Sequence, residues 1–252
     1  MDADRAATLQ ALIAGLRKRW GVRAARLGSA AEAIPVLSTG FAALDATLGI
    51  GGVPRGRLTE ILGTPTSGAT TIALTLLAGA QAQGDVAGYI DLSRTFDAEY
   101  AAAVGVDLHA LLLARPRTAA DALELIHALV GSGGVGVLVV ESLALLQSVP
   151  RDAALLDQAL RVLPGPLAAS PCALVALTPL PYRPEMTRAI GFGGSVLAHA
   201  AALRLHVARE TWLDAEHGPP GCAARVTVLK HRLGAPDGSA QVVVSFDDGS
   251  WG

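Results

Sequence analysis

Apolar side chains between residues 5 and 20 recur at Ala6, Leu9, Leu12, Ile13, Leu16 and Trp20. That spacing paints one face of a helix, and Gly21 closes it. Residues 36–50 read as a turn and a short helix that Ser38 or Thr39 is placed to cap. Glycines 49, 51 and 52 open a loop, and Pro54-Arg55-Gly56 makes a turn. A pattern of short apolar runs and amphipathic stretches follows. Strands are predicted over Arg57–Leu62, Val86–Ile90, Val135–Val140 and Ala173–Leu177. Helices are predicted over Thr70–Gln83, Thr118–Val130, residues 152–163 and Ser195–Ala201. The run Val135–Val140 has no polar interruption, the mark of a strand covered on both faces. Three closing strands, Leu203–Val207, Ala224–Leu229 and Gln241–Phe246, are joined by short connections that suit antiparallel pairing at one edge. Strands alternating with helices predict an α/β fold, a mainly parallel central sheet flanked by helices, preceded by an N-terminal helix. The expected division is residues 1–35, helix and docking segment, and residues 36–252, the α/β core.

Composition narrows the function classes. The 252 residues are 51% hydrophobic and 17% charged, which excludes a disordered chain. The formal net charge of −2 argues against a general polyanion binder and leaves room for a local basic patch. Two cysteines, Cys172 and Cys222, make neither a disulfide framework nor a zinc site, and the six histidines lack metal-binding spacing. No membrane span and no signal peptide are read, so a cytoplasmic location is expected. The basic stretch Arg17–Arg26 reads first as a solvated helix end. Trp212 and Trp251 are expected to cap core edges.

The chemistry concentrates in GTPTSGATT, residues 63–71. A phosphate loop is Gly, four residues, Gly, Lys, Ser/Thr, set between a strand and a helix. Gly63, Gly68, Thr70 and Thr71 satisfy the pattern, but the lysine position is Ala69. Backbone N–H groups and the helix N-terminus can still form an anion cradle. The missing charge-assisted contact is worth about 1.5–3 kcal/mol. An arginine such as Arg57 is the candidate replacement. The acid that ends a hydrophobic strand in such sites and holds Mg²⁺ is here Glu141. After the neighbouring strand come Asp91 and, where a base would stand, Ser93, a poor general base. Asp91 reads first as a loop cap beneath the phosphate loop.

The stretches LSTGFAALDATLGIGGVPRGRLTEILGTPTSGATT and YIDLSRTFDAEYAAAVGVDL, continued through VGVLVVES, GGSVLAHAAALRLHVAR and RVTVLKHRLGAP, resemble the RecA family in order and spacing. The resemblance implies a RecA-like phosphate-loop core. Against that family's pattern, Ala69 stands for the lysine, Glu141 for the aspartate and Ser93 for the catalytic glutamate. It further implies a first DNA loop cut down to QSVPRDAAL and a second shortened to LPYRPEMTRAIGFGG. The second loop offers Arg183 and Arg188 as DNA contacts, with Tyr182 and Phe192 for stacking; its plainer reading is a surface connection. The family's filament contacts would fall on Leu9, Leu12 and Leu16, on Val22–Leu27, and on Lys230 and Arg232, which align with lysines that reach a neighbour's nucleotide.

This combination resembles ImuA, short RecA-like proteins of bacterial mutagenesis cassettes encoded beside the polymerase-like ImuB. It implies a non-enzymatic accessory protein of the SOS response and translesion synthesis. Expected partners are RecA and an ImuB-type protein, with single-stranded DNA bound weakly at most, no membrane contact, and self-association possible. No cofactor is expected; ATP and Mg²⁺ binding should be weak or absent. The alternatives are a weak DNA-dependent ATPase and a nucleotide-independent DNA-binding paralogue in repair or recombination.

Overall fold

The computed structural model describes residues 3–21, 34–181, 196–213, 221–235 and 237–245. The chain divides into two units, Met1–Ala33 and Ile34–Gly252. Within the first, α1 (Ala3–Trp20) carries Arg17, Lys18 and Arg19 in its last turn, where cations complement the helix dipole. Leu9 and Leu16 are half-buried, while Leu12 and Trp20 are exposed.

The second unit is built on an eight-stranded sheet of order β10-β9-β8-β3-β7-β6-β4-β5. Its strands are β3 (Leu58–Gly63), β4 (Ala87–Asp91), β5 (Leu111–Ala114), β6 (Val137–Glu141), β7 (Ala173–Pro179), β8 (Leu203–Leu213), β9 (Gly221–His231) and β10 (Ser239–Ser245). The six from β8 to β5 are mutually parallel, and β9 and β10 extend the sheet antiparallel. A small antiparallel pair, β1 (Val36–Leu37) with β2 (Val53–Pro54), precedes it.

Alternation along the strands makes two apolar layers. Val137 and Val139 of β6 face one layer, with Ile61, Val175 and Leu205. There they meet α2 (Ala42–Leu48) through Leu44 and Leu48, and α3 (Ala69–Ala82) through Ile72, Leu76 and Leu77. Leu138 and Val140 face the other layer, with Leu174 and Ala176. Its helices are α5 (Ala119–Ser132), α6 (Pro150–Val162), α7 (Pro164–Ala169) and α8 (Val196–Ala200). Both faces of β6 are therefore covered, as its unbroken apolar run requires. The short α4 (Ala98–Ala103) follows β4.

Several expectations change at the boundaries. Neither Ser38 nor Thr39 caps α2, whose N-cap is Phe41 without a side-chain cap. Both hydroxyls instead bond Asp45 within the helix, at 2.5 and 2.7 Å. β8 continues past Val207 to Leu213, and β9 starts at Gly221, so this hairpin is longer than the apolar runs alone suggest. The segment QSVPRDAAL forms no loop: a 3₁₀ turn over Leu143–Ser148 leads directly into α6, which begins with Pro150 at its first turn. Val22–Leu27, Arg183, Arg188, Tyr182, Phe192 and Trp251 lie outside the described residues. No helix among the described residues is long and apolar enough to cross a membrane.

Candidate functional site: the loop between β3 and α3

The loop leaves the end of β3 at the centre of the sheet, where ligands of open α/β folds sit. Gly63 is the last residue of β3; a side chain there would begin 2.3 Å from Ser67 Oγ, so the loop folds over it only because it is glycine. Gly68, at φ 94°, caps α3 in a conformation that L side chains avoid. Ala69 is the first helical residue, so the helix N-terminus points into the loop as in an anion cradle. Ser67 Oγ is buried and has no hydrogen-bond partner. The cavity above measures about 550 Å³ and is walled by the loop, Tyr100, Glu141, Thr178, Trp212 and Cys222. The structure thus brings Gly63, Gly68, Ala69, Thr70, Thr71 and Glu141 together as the sequence implied.

Several polar groups around the cavity are already engaged in hydrogen bonds. Thr71 Oγ1 and the Tyr100 hydroxyl share a hydrogen bond of 2.5 Å. Burial raises the Tyr100 hydroxyl above its ordinary pKa against the opposing effect of that bond. Glu141 accepts a hydrogen bond from the buried hydroxyl of Tyr89. Burial first, and then this bond to the carboxylate, push the Tyr89 hydroxyl far above its usual range, so it stays protonated and donating.

Asp91 is displaced from the role considered for it. It is fully buried and absent from the cavity wall. Its carboxylate accepts from the backbone N–H groups of Thr95 and Phe96, at 3.0 and 3.3 Å, and from Arg115 Nε at 2.9 Å. It is a loop cap, but of the segment that follows β4 rather than of the phosphate loop. Burial works to raise its pKa; the Arg115 and backbone hydrogen bonds outweigh this and hold it below the usual carboxylate value. Ser93 turns to Thr95, with 2.6 Å between the hydroxyls, and lines no part of the cavity.

Arg57 is not the cation of this site. It sits just before β3, at the opposite end of the strand, and donates to its neighbour's carbonyl at Gly56. The residue that sequence reasoning missed is Arg209. It projects from the part of β8 beyond Val207 and donates to the Thr66 carbonyl at 3.0 Å and to the Thr66 hydroxyl. Thr66 has φ 62°, a left-handed conformation in a residue with a branched Cβ. Trp212 is 55% exposed and caps no core; its ring lies 4.1 Å from the Arg209 guanidinium, a cation–π contact that orients the arginine. The alternation HVARETWL was the available signal, since it continues the strand far enough to bring Arg209 over the loop.

Lys230 and Arg232 lie at the far end of the sheet from the loop, because β9 runs antiparallel to β8 with Lys230 opposite Arg204. Lys230 Nζ donates to the carbonyls of Ala198 and His199, at 2.7 and 3.0 Å, and Arg232 Nη2 to that of His199 at 2.7 Å. Both hold the C-terminal end of α8. No cluster of His, Cys, Asp or Glu able to hold a metal ion occurs among the described residues.

The family model for the RecA N-terminal domain matches residues 7–250. Among curated proteins, the chain is 37% identical to Protein RecA of Nocardia farcinica, over 98% of this chain and 76% of that protein. It is 36% identical to Protein RecA of Arthrobacter sp. strain FB24, over 98% and 75% of the two chains. To Protein RecA of Methylobacterium sp. strain 4-46 it is 33% identical, over 99% and 74%.

Proposed function

The chain belongs to the RecA family, and from that premise we propose that it serves DNA repair as an accessory protein of the ImuA kind rather than as a nucleotide-driven recombinase. On this reading it acts in damage-induced translesion synthesis, by contacts with RecA and with an ImuB-type polymerase-like protein. It takes no cofactor, and its affinity for single-stranded DNA is low.

The observation that carries this reading is what replaces the loop lysine. Ala69 places a methyl group at the position that faces a terminal phosphate, and the cation brought to the loop, Arg209, is already bound to Thr66. Two further contacts speak against a magnesium nucleotide. Glu141, the acid positioned for the metal, is held by Tyr89, and Ser93 replaces a base with a neutral hydroxyl turned to Thr95. What persists, the glycine geometry and the helix N-terminus, is the part of a phosphate cradle that also shapes the fold.

The test has two arms. Calorimetric titration with Mg-ATP is expected to give no micromolar binding. Co-purification of the full-length chain with RecA and with an ImuB-type protein is expected to recover at least one of them. Micromolar nucleotide binding with turnover, and neither partner, overturns the reading. The second reading, a weak DNA-dependent ATPase, is favoured by Arg209 alone: an arginine that can swing from Thr66 to a phosphate. It requires that turnover exist and that Arg209→Ala abolish it.

A further inference from the structure

A second cavity lies away from the loop. It is a groove of about 1030 Å³ at the opposite end of the sheet, between α6, α7, α8 and the start of β3. Its walls are aliphatic, with Leu160 and Leu163 from the end of α6, Leu167 from α7 and Val196 from α8. Its rim is cationic, and Arg57, Arg161, Arg204, Lys230 and Arg232 all contribute.

Charge bookkeeping around the groove leaves an excess. Arg161 pairs with Asp157 at 2.9 Å, and Arg204 with Glu60 at 2.6 Å. Arg57, Lys230 and Arg232 hydrogen-bond no carboxylate among the described residues; they donate to backbone carbonyls. Three cations without a hydrogen-bonded carboxylate among the described residues thus line one groove in a chain whose formal net charge is −2. Crowding is visible in Lys230, whose pKa is lowered to about 8 by burial first and then by Arg232 and Arg204, against a weaker opposing pull from Glu60. Like charges gathered without an anion repel, and a bound carboxylate relieves that repulsion.

The walls decide between kinds of anion. Among the described residues no Phe, Tyr or Trp lines the groove, so the walls they form offer a nucleic acid charge but no ring to stack on. Aliphatic walls beneath a cationic rim match a chain that alternates carboxylates with aliphatic side chains. We propose that this groove is the docking site for a short segment of a partner protein that combines acidic and aliphatic residues. The proposal rests on the adaptor reading but fails separately from it, because nucleotide affinity tests the one and peptide affinity the other.

The experiment uses the full-length protein and a fluorescein-labelled peptide in which Glu and Asp alternate with Leu, read by fluorescence anisotropy. Saturable binding is expected. It is expected to weaken about tenfold or more in Arg57→Glu and in Arg161→Glu. Arg161 is an exposed helix residue, so its variant keeps the fold, which circular dichroism checks. Lys230→Glu and Arg232→Glu are expected to act in the same direction, but they also release the end of α8. A control peptide with Ser in place of Leu is expected to bind about tenfold more weakly, because the aliphatic walls contribute. The proposal is overturned if the peptide does not bind, if Arg161→Glu and Arg57→Glu bind it as the parent does, or if the Leu-free peptide or tripolyphosphate binds equally well. It is also overturned if sedimentation shows a dimer that Arg161→Glu dissociates, for the groove's occupant is then a second copy. An Mg-ATP titration of the same preparations reads the fate of the adaptor reading independently.

Discussion

The Arg209 guanidinium reaches from β8 to the Thr66 carbonyl, 3.0 Å away, and holds the tip of the phosphate loop in a left-handed turn. A side chain from the far end of β8 thereby fixes the conformation of a loop formed almost 150 residues earlier in the chain (a separation of 143 positions). Arg209→Ala removes charge-assisted bonds that are partly open to solvent, so a stability loss of about 1 kcal/mol is expected. Faster amide exchange across residues 64–68 is expected with it, measured by hydrogen–deuterium exchange. Exchange unchanged in that loop would show that the arginine does not restrain it.

Thr66 itself is tested by Thr66→Gly. Glycine accepts the φ of 62° without the penalty of a branched Cβ, worth about 1 kcal/mol. The variant is expected to match or exceed the parent in chemical denaturation, even though the hydroxyl contact to Arg209 is lost. A loss of 2 kcal/mol or more, taken as about the value of a strong side-chain bond, would mean that the hydroxyl rather than the carbonyl anchors the arginine.

Placing a lysine in the loop separates the causes to which the proposed reading ascribes weak nucleotide binding. Ala69→Lys is expected to raise ATP affinity by about tenfold or more, the scale of one charge-assisted contact. Dependence on Mg²⁺ is expected only when Tyr89→Phe is added, because the Tyr89 hydroxyl otherwise occupies Glu141. Isothermal titration with and without Mg²⁺ reads both effects.

Asp91 sets part of the acid limb of stability. Its pKa is lowered in the folded chain, so its contribution is fully present above the ordinary carboxylate range. It is lost as pH falls through the depressed folded value, where protonation releases Arg115 and the backbone N–H groups of Thr95 and Phe96. Asp91→Asn is expected to flatten the decline of denaturation midpoint with falling pH below about 4, while lowering stability at neutral pH. An unchanged acid profile would place the titrating groups elsewhere.

Glu60 is a buried carboxylate bonded to Arg204 at 2.6 Å and to the Thr178 hydroxyl at 2.9 Å. Glu60→Ala takes the carboxylate from a buried arginine and is expected to cost about 3–5 kcal/mol, measured by urea denaturation.

Much of the core was readable because burial writes itself into local patterns. The run that became β6 is apolar on both faces because both faces are covered, and glycine spacing located the turn between β3 and α3. Short elements were less legible. α4 is six residues of which only Ala101 is buried, so it leaves almost no periodic signal; its one mark is Asp97, whose side chain accepts from the Tyr100 N–H as an N-cap. α7 begins Pro-Gly-Pro, a composition that reads as a turn, and becomes helical because proline suits the first turn. The site's decisive contacts, Arg209 with Thr66 and Tyr89 with Glu141, join residues 143 and 52 positions apart. Such pairings depend on strand order, which no local pattern specifies. The misplacement of Arg57 has the same origin: closeness to the loop in sequence put it at the wrong end of a strand.

Arg204, Glu60 and Thr178 stand on three adjacent parallel strands, β8, β3 and β7, and their bonds tie these central strands together across the sheet. Side chains alternate between faces, so a slip of one position in β3 would drive a carboxylate into the aliphatic layer beneath α3. The triad therefore marks one alignment: among the ways these valine- and leucine-rich strands could stack, the neighbouring registers would bury a carboxylate without its arginine.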